Sequence, residues 1–92
     1  MDSEETIRVL HVDDEPDFAE LTAEFLERED DRFTVTTAMS GSEGVEQLSH
    51  GDFDCIVSDY DMPGQNGIDF LKSVREKVTN LPFVLFTGKG SE

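Results

Sequence analysis

Four short apolar runs separated by three stretches of helical periodicity constrain this 92-residue chain more than any other feature. IRVLHV (residues 7–12), RFTVTTA (32–38), DCIVSD (54–59) and LPFVLFTG (81–88) are brief, rich in β-branched and aromatic residues and bounded by charge or turn formers, which predicts buried strands. Between the first two, Phe18, Leu21, Thr22, Phe25 and Leu26 recur at i, i+3, i+4, i+7 and i+8. That spacing predicts an amphipathic helix, with Pro16 in its first turn and the acids Glu15 and Asp17 at the positive end of its dipole. Ser40 and Glu43 have the capping-box spacing that opens a second helix through Val45 and Leu48, and Gly51 suits its stop. A turn-rich MPGQNG follows the third strand, with Asn66 and Gly67 reading as a turn or helix start. Ile68, Leu71, Val74 and Val78 then mark the apolar face of a third helix.

The order βαβαβαβ predicts a parallel sheet with right-handed crossovers and helices on both faces. A chain this short forms one domain and buries only about two-thirds of the surface its unfolded form exposes, so the core is modest. More than one strand order fits. In the order 2-1-3-4 the sheet reverses direction between strands 1 and 3, and their carboxyl ends flank a crevice of the kind in which α/β folds bind ligands. Those two ends carry acids: Asp13 and Asp14 close strand 1, and Asp59 closes strand 3. Three carboxylates brought together repel one another unless a cation intervenes. An all-oxygen donor set points to magnesium or manganese rather than zinc.

Local pattern leaves plainer roles open. Acids just before a helix serve as caps and dipole partners, and an Asp ahead of a Pro-Gly turn can be a turn acceptor. A calcium loop is excluded: Asp13, Glu15, Asp17 and Glu24 fall at loop positions 1, 3, 5 and 12, but the glycine required at position 6 is Phe18. A phosphate loop at GKGS fails as well, because Lys89 is followed by Gly90 and the first glycine's place is taken by Phe83.

Charge narrows the partners. Twenty-two Asp and Glu against seven Lys and Arg give a formal charge of −15, spread along the chain as on a solvated, halophile-type surface. Such a surface lacks the basic patch that phosphate backbones require, which argues against direct nucleic-acid binding and against anionic membranes. The single cysteine, Cys55, permits no internal disulfide and no cysteine zinc site; it reads as a small core residue in a cytoplasmic protein. His11 and His50 have no partner at ligand spacing and read as structural or solvated. The acidic start MDSEET and the short apolar runs predict neither a signal peptide nor a membrane span.

VLHVDDEPDF, IVSDYDMPGQNGIDFL with its D-x-x-M-P-G spacing, and LPFVLFTG, in this order, resemble the receiver domain of two-component response regulators. The resemblance implies a flavodoxin-like, doubly wound parallel sheet of order 2-1-3-4. It implies that Asp59 is the phosphoacceptor and also a metal ligand, that Asp14 ligates the metal directly, and that Asp13 holds the metal or its water shell. It further implies that the backbone carbonyl of Asp61 is a metal ligand, that Thr87 is the switch hydroxyl, and that Gly88 is the small residue leaving room for the phosphate. Magnesium, with manganese possible, is the implied cofactor. A sensor histidine kinase or phosphotransfer protein is the implied donor, and the domain is a phosphoacceptor rather than an enzyme in its own right.

The chain departs from the family in one respect. The family continues through a further helix, a fifth strand ending in an active-site lysine, and a last helix. Lys89 follows the fourth strand too closely to be that lysine, so residues 1–92 read as a single receiver domain that is incomplete at its C-terminus. On that reading the strand FVLF is an apolar sheet edge through which a homodimer can form. Two rivals belong to other classes. One is a pseudo-receiver that binds a partner without phosphorylation. The other is a phosphatase of the haloacid dehalogenase type, with Asp59 as nucleophile and Asp61 as general acid, for whose remaining residues the chain has no room.

Overall fold

The computed structural model describes residues 6–60 and 66–86. In chain order its elements are β1 (Ile7–Val12), α1 (Pro16–Glu29), β2 (Phe33–Ala38), α2 (Gly41–His50), β3 (Cys55–Asp59), α3 (Gly67–Lys77) and β4 (Phe83–Phe86). The four strands form one parallel sheet in the order β2-β1-β3-β4. This is the doubly wound, flavodoxin-like arrangement that the resemblance implies and the alternation of elements allows, with the reversal of winding between β1 and β3. Val12 pairs with Ala38 on one side and Ser58 on the other, so the carboxyl ends of the central strands finish level.

Period-two alternation sorts the strand residues between the two faces. On one face Leu10, Val12, Ala38 and Ile56 meet Phe70 and Val74 of α3 and Leu81, all buried, with Val45 and Leu48 of α2, Phe53, Val78 and Phe83 packed around them. Among the described residues Phe70 is the largest fully buried side chain, and its ring lies 5.6 Å from that of Phe83 in a tilted pair. Gly44 lets α2 approach α3 closely: a Cβ there would lie 2.8 Å from the Phe70 ring and 3.1 Å from Val12. On the other face α1 covers His11, whose ring centroid is 6.4 Å from that of Phe18. His11, Phe18, Thr22, Val57 and Val84 line a shallow apolar cleft of about 270 Å³ there.

Two helical faces differ from those the periodicity suggests. In α1 the fully buried residue is Ala19, whereas Leu21 is 64% and Phe25 59% exposed and Phe18 is also exposed. The cause is the way the helix is tied down. Glu27 accepts a hydrogen bond from the Val35 amide at 3.0 Å, and the Asp30 amide reaches Leu26 O at 3.2 Å. The Val35–Glu27 bond holds the end of α1 against the edge of β2 and turns Ala19 and half-buried Thr22, Ala23 and Leu26 inward, while the Asp30 bond closes the helix's own last turn. In α3, Ile68 is exposed and Phe70, absent from the expected stripe, is buried with Val74. The inward arc of α3 begins at Gly67 rather than at Ile68.

The caps follow the sequence more closely. Ser40 Oγ accepts from the Glu43 amide at 3.1 Å, and the Glu43 carboxylate accepts in return from Met39 N at 2.6 Å, one residue earlier than in the usual reciprocal pair. Gly51 does end α2, but its extended backbone (φ −160°, ψ 170°) is open to any residue, so the stop needs no glycine. Cys55 is half-buried rather than a full core residue. Burial, reinforced by the neighbouring Asp54 charge, pushes its thiol above the usual 9.0. His50 is exposed, with Nδ1 2.8 Å from Glu46 O. No described helix is long and apolar enough to cross a membrane.

Candidate functional site

β1 delivers the first two acids. The ladder continues one bond past the strand, with Asp13 N donating to Ala38 O at 3.0 Å, which fixes the Asp13 backbone at the lip of the sheet. Its Oδ1 then accepts from Glu15 N at 2.9 Å, reversing the chain so that Pro16 opens α1. Glu15, at the N-cap, makes no capping bond of its own, so the capping alternative for this acidic cluster holds only in part. Asp13 orders the turn through one oxygen.

β3 delivers the third. Asp59 is the last residue of the strand and pairs in register with Phe86 of β4. Beneath it, the Ser58 hydroxyl donates to Asp59 O at 3.1 Å. Beyond it, Tyr60 O accepts from Gly67 N at 2.8 Å, so the first turn of α3 is bonded to the residue following Asp59. Asn66 caps that turn by accepting from Asp69 N at 2.9 Å, which realises the helix start expected there.

Level strand ends bring these acids together. One carboxylate oxygen from each of Asp13, Asp14 and Asp59 lies within 4.8 Å of the other two; Asp13 and Asp59 are fully buried and Asp14 is half-buried. At that separation two unit charges repel by about 3 kcal/mol for an effective dielectric near 20. Burying ionised carboxylates adds a desolvation cost. Oxygen-only donors packed this closely suit a hard divalent cation, and Asp14 is the one of the three acids open to water. Of the other expected site residues, Asp61, Thr87 and Gly88 lie outside the described residues, as does Lys89. The sequence reading missed Gly67 as part of this neighbourhood; its only signal was a glycine at a helix start.

A cleft of about 460 Å³, lined by Arg8, Thr34, Thr36, Gln47, His50 and Phe53 among others, opens at the other end of the strands. Among the described residues it gathers no cluster of carboxylates, whereas the acidic site sits at the switch point where parallel sheets bind ligands.

Known proteins agree with this geometry. A family model described as the response regulator receiver domain matches residues 9–92. The transcriptional regulatory protein ResD of Bacillus subtilis is 34% identical over 92 residues, covering 100% of this chain and 37% of its own length. The chemotaxis protein CheY4 of Vibrio cholerae superposes with a TM-score of 0.85 at 30% identity, over 94% of this chain and 72% of that one. The response regulator TrrA of Thermotoga maritima, solved with Mg²⁺ and BeF, gives a TM-score of 0.83 at 32% identity, over 92% and 72% of the two chains. TrrA has also been solved in complex with the histidine kinase ThkA, and there it gives a TM-score of 0.82 at 31% identity, over 95% and 76%. The chain thus spans little more than a third of the curated relatives it matches. With its strand order, acidic crevice and matched residues all in accord, the chain belongs to the response regulator receiver domain family.

Proposed function

We propose that this chain is a phosphoryl-accepting signalling domain in which Asp59 takes a phosphoryl group from a phosphohistidine of a sensor kinase or phosphotransfer protein. The observation that carries the reading is the convergence of Asp13, Asp14 and Asp59 within 4.8 Å at the carboxyl ends of β1 and β3. The kinase as donor is supported by the relative solved with one.

In the transfer, an Asp59 carboxylate oxygen forms a bond to phosphorus as the bond from phosphorus to the imidazole nitrogen breaks. The departing imidazole keeps that electron pair and is protonated from solvent. The transition state is loose, with charge spread over the equatorial oxygens, so the chain's contribution is positioning and electrostatics rather than covalent help. Asp59 is held for this by the β3 ladder and by the bond from Gly67 N to Tyr60 O. Asp13 and Asp14 would hold a magnesium ion, or manganese in its place, with the carbonyl of Asp61 as a further ligand. When bound, the ion neutralises negative charge shared by the carboxylates and the incoming phosphoryl group. Thr87 is assigned the hydroxyl that meets the phosphoryl group and biases a two-state conformational equilibrium, with Gly88 leaving space beside it. Asp13, in turn, orders the start of α1 while facing the site. On this reading the domain assists its own phosphorylation and dephosphorylation, is not an enzyme acting on other substrates, and works in the cytoplasm.

Intact-mass analysis after incubation with phosphoramidate, with and without magnesium, tests the proposal. One magnesium-dependent phosphate that disappears in Asp59→Asn is expected. Magnesium binding with no phosphate on either protein would favour the pseudo-receiver instead.

A further inference from the structure

We propose that Gly67 is a positioning residue for Asp59: it is kept free of a side chain so that the first turn of α3 can seat against the peptide that carries the phosphoacceptor. The inference rests on the reading of Asp59 given above.

Gly67 is fully buried and opens α3. A Cβ placed on it would stand 2.9 Å from Asp59 O and 3.0 Å from Tyr60 Cα, and would collide with Leu85 Cδ1. Its requirement is therefore space rather than unusual backbone freedom. Two of these three neighbours are main-chain atoms flanking the Asp59 peptide, and they cannot swing aside as a side-chain tip can. The third, Leu85, belongs to β4 and pairs in register with Ser58. It closes over the glycine from the strand next to β3. At the same place the Gly67 amide donates to Tyr60 O at 2.8 Å, so contact and hydrogen bond fix the same short segment. Ser58 O–H to Asp59 O at 3.1 Å holds it from below. Asp59 is thus the end of a strand clamped on its far side by a helix N-terminus, and Gly67 sets the height of that clamp.

This arrangement separates two consequences of adding a methyl group. One is a clash with Leu85, which a smaller side chain at 85 relieves. The other is displacement of the Asp59–Tyr60 peptide, which no change at 85 relieves. A shift of a fraction of an ångström in a reacting carboxylate is costly, since misplacement of about 1 Å can cost on the order of a hundredfold in rate.

The test compares wild type, Gly67→Ala, Leu85→Ala and the Gly67→Ala/Leu85→Ala double variant. Two quantities are read: the rate of phosphorylation by phosphoramidate, and the magnesium dissociation constant from the fluorescence of Tyr60. Tyr60 is the sole tyrosine of a chain without tryptophan, and it adjoins Asp59. Circular dichroism sets the folded fraction to which both are referred, which keeps the double variant informative if Gly67→Ala alone folds poorly. Leu85→Ala should stay within about twofold of wild type in both readings. The double variant should be phosphorylated about tenfold more slowly and bind magnesium several-fold more weakly, because Asp59 itself has moved. A double variant that matches Leu85→Ala in both readings would overturn the proposal and reduce Gly67 to a space for Leu85. If wild type takes no phosphate but the double variant still loses magnesium affinity, the phosphoacceptor reading falls and the positioning role stands.

Discussion

Replacing Asp59 by Asn should make the metal-free protein more stable, although the substitution removes the proposed reactive group. The gain is electrostatic. The three carboxylates of the site form three pairs, each with oxygens no more than 4.8 Å apart, and each pair costs about 3 kcal/mol at an effective dielectric near 20. Asp59→Asn abolishes two of those pairs while keeping the side chain's volume. The full sum is an upper bound, because each charge is shared by two oxygens and Asp14 is half-open to water. A net gain of about 1–3 kcal/mol remains. For a domain of this size that raises the melting temperature by about 5–15 °C.

Thermal unfolding followed by circular dichroism in excess chelator measures the gain. Magnesium should then reverse the comparison. An ion at about a hundred times its dissociation constant stabilises the wild type by about 2.7 kcal/mol, and the variant, one carboxylate short, should gain less. The gap should therefore narrow or change sign on adding magnesium. If Asp59→Asn melts below wild type in chelator, the hydrogen bonds and packing of the carboxylate outweigh the repulsion. The case for a cation site built on relieved charge would then fail.

Gly44→Ala should destabilise by up to about 2 kcal/mol: overpacking the fully buried Phe70 ring costs about 1–3 kcal/mol, and the better helix propensity of Ala returns about 1. A rise in the urea midpoint would show that α2 can back away from α3 at no cost. Arg32→Gln tests the exposed pair in which Arg32 hydrogen bonds hold Asp30 at about 2, below its ordinary 3.8. Because the folded value is the lower one, the pair's small contribution is present above pH 4 and is lost as pH falls towards 2. The stability deficit of Arg32→Gln should shrink over that window, and a deficit constant from pH 6 to 2 would refute the assignment. Cys55, with its thiol raised by burial and by Asp54, should react with a disulfide reagent at pH 8 about an order of magnitude more slowly in the folded protein than in urea. Equal rates would place the thiol in open water.

The acid site was legible because its logic is local and topological at once. An Asp that ends an apolar strand can be seen in the string HVDDEP or IVSDYD, and in the order 2-1-3-4, one of those the alternation of strands and helices allows, these strand ends become neighbours. Once β1 and β3 are adjacent and parallel, their terminal residues converge without further information. Helix faces were read less well because periodicity gives an apolar stripe but not its rotation about the helix axis. In α1 that rotation is fixed by Glu27 reaching the Val35 amide and by the small Ala19 tolerating close approach to the sheet, both of which depend on β2. In α3 it is fixed by Gly67 and Phe70, whose neighbours Leu85, Phe83 and the Asp59 peptide come from elsewhere in the chain.

Gly67 carries this lesson into the site itself. Its sequence signal, a glycine after an asparagine at a helix start, is that of an ordinary turn, and its backbone conformation is one that other residues adopt. What singles it out is the atoms around it, two of which belong to the peptide links of Asp59 and Tyr60. A sequence states which side chains carry charge at the switch point of a parallel sheet. How firmly the reacting one is held depends on neighbours that give up volume to let a helix close on the strand end. On the proposed function, the acids and the glycine are parts of one device: the former supply repulsion that a cation and a phosphoryl group can use, and the latter keeps the strand end from relaxing away from it.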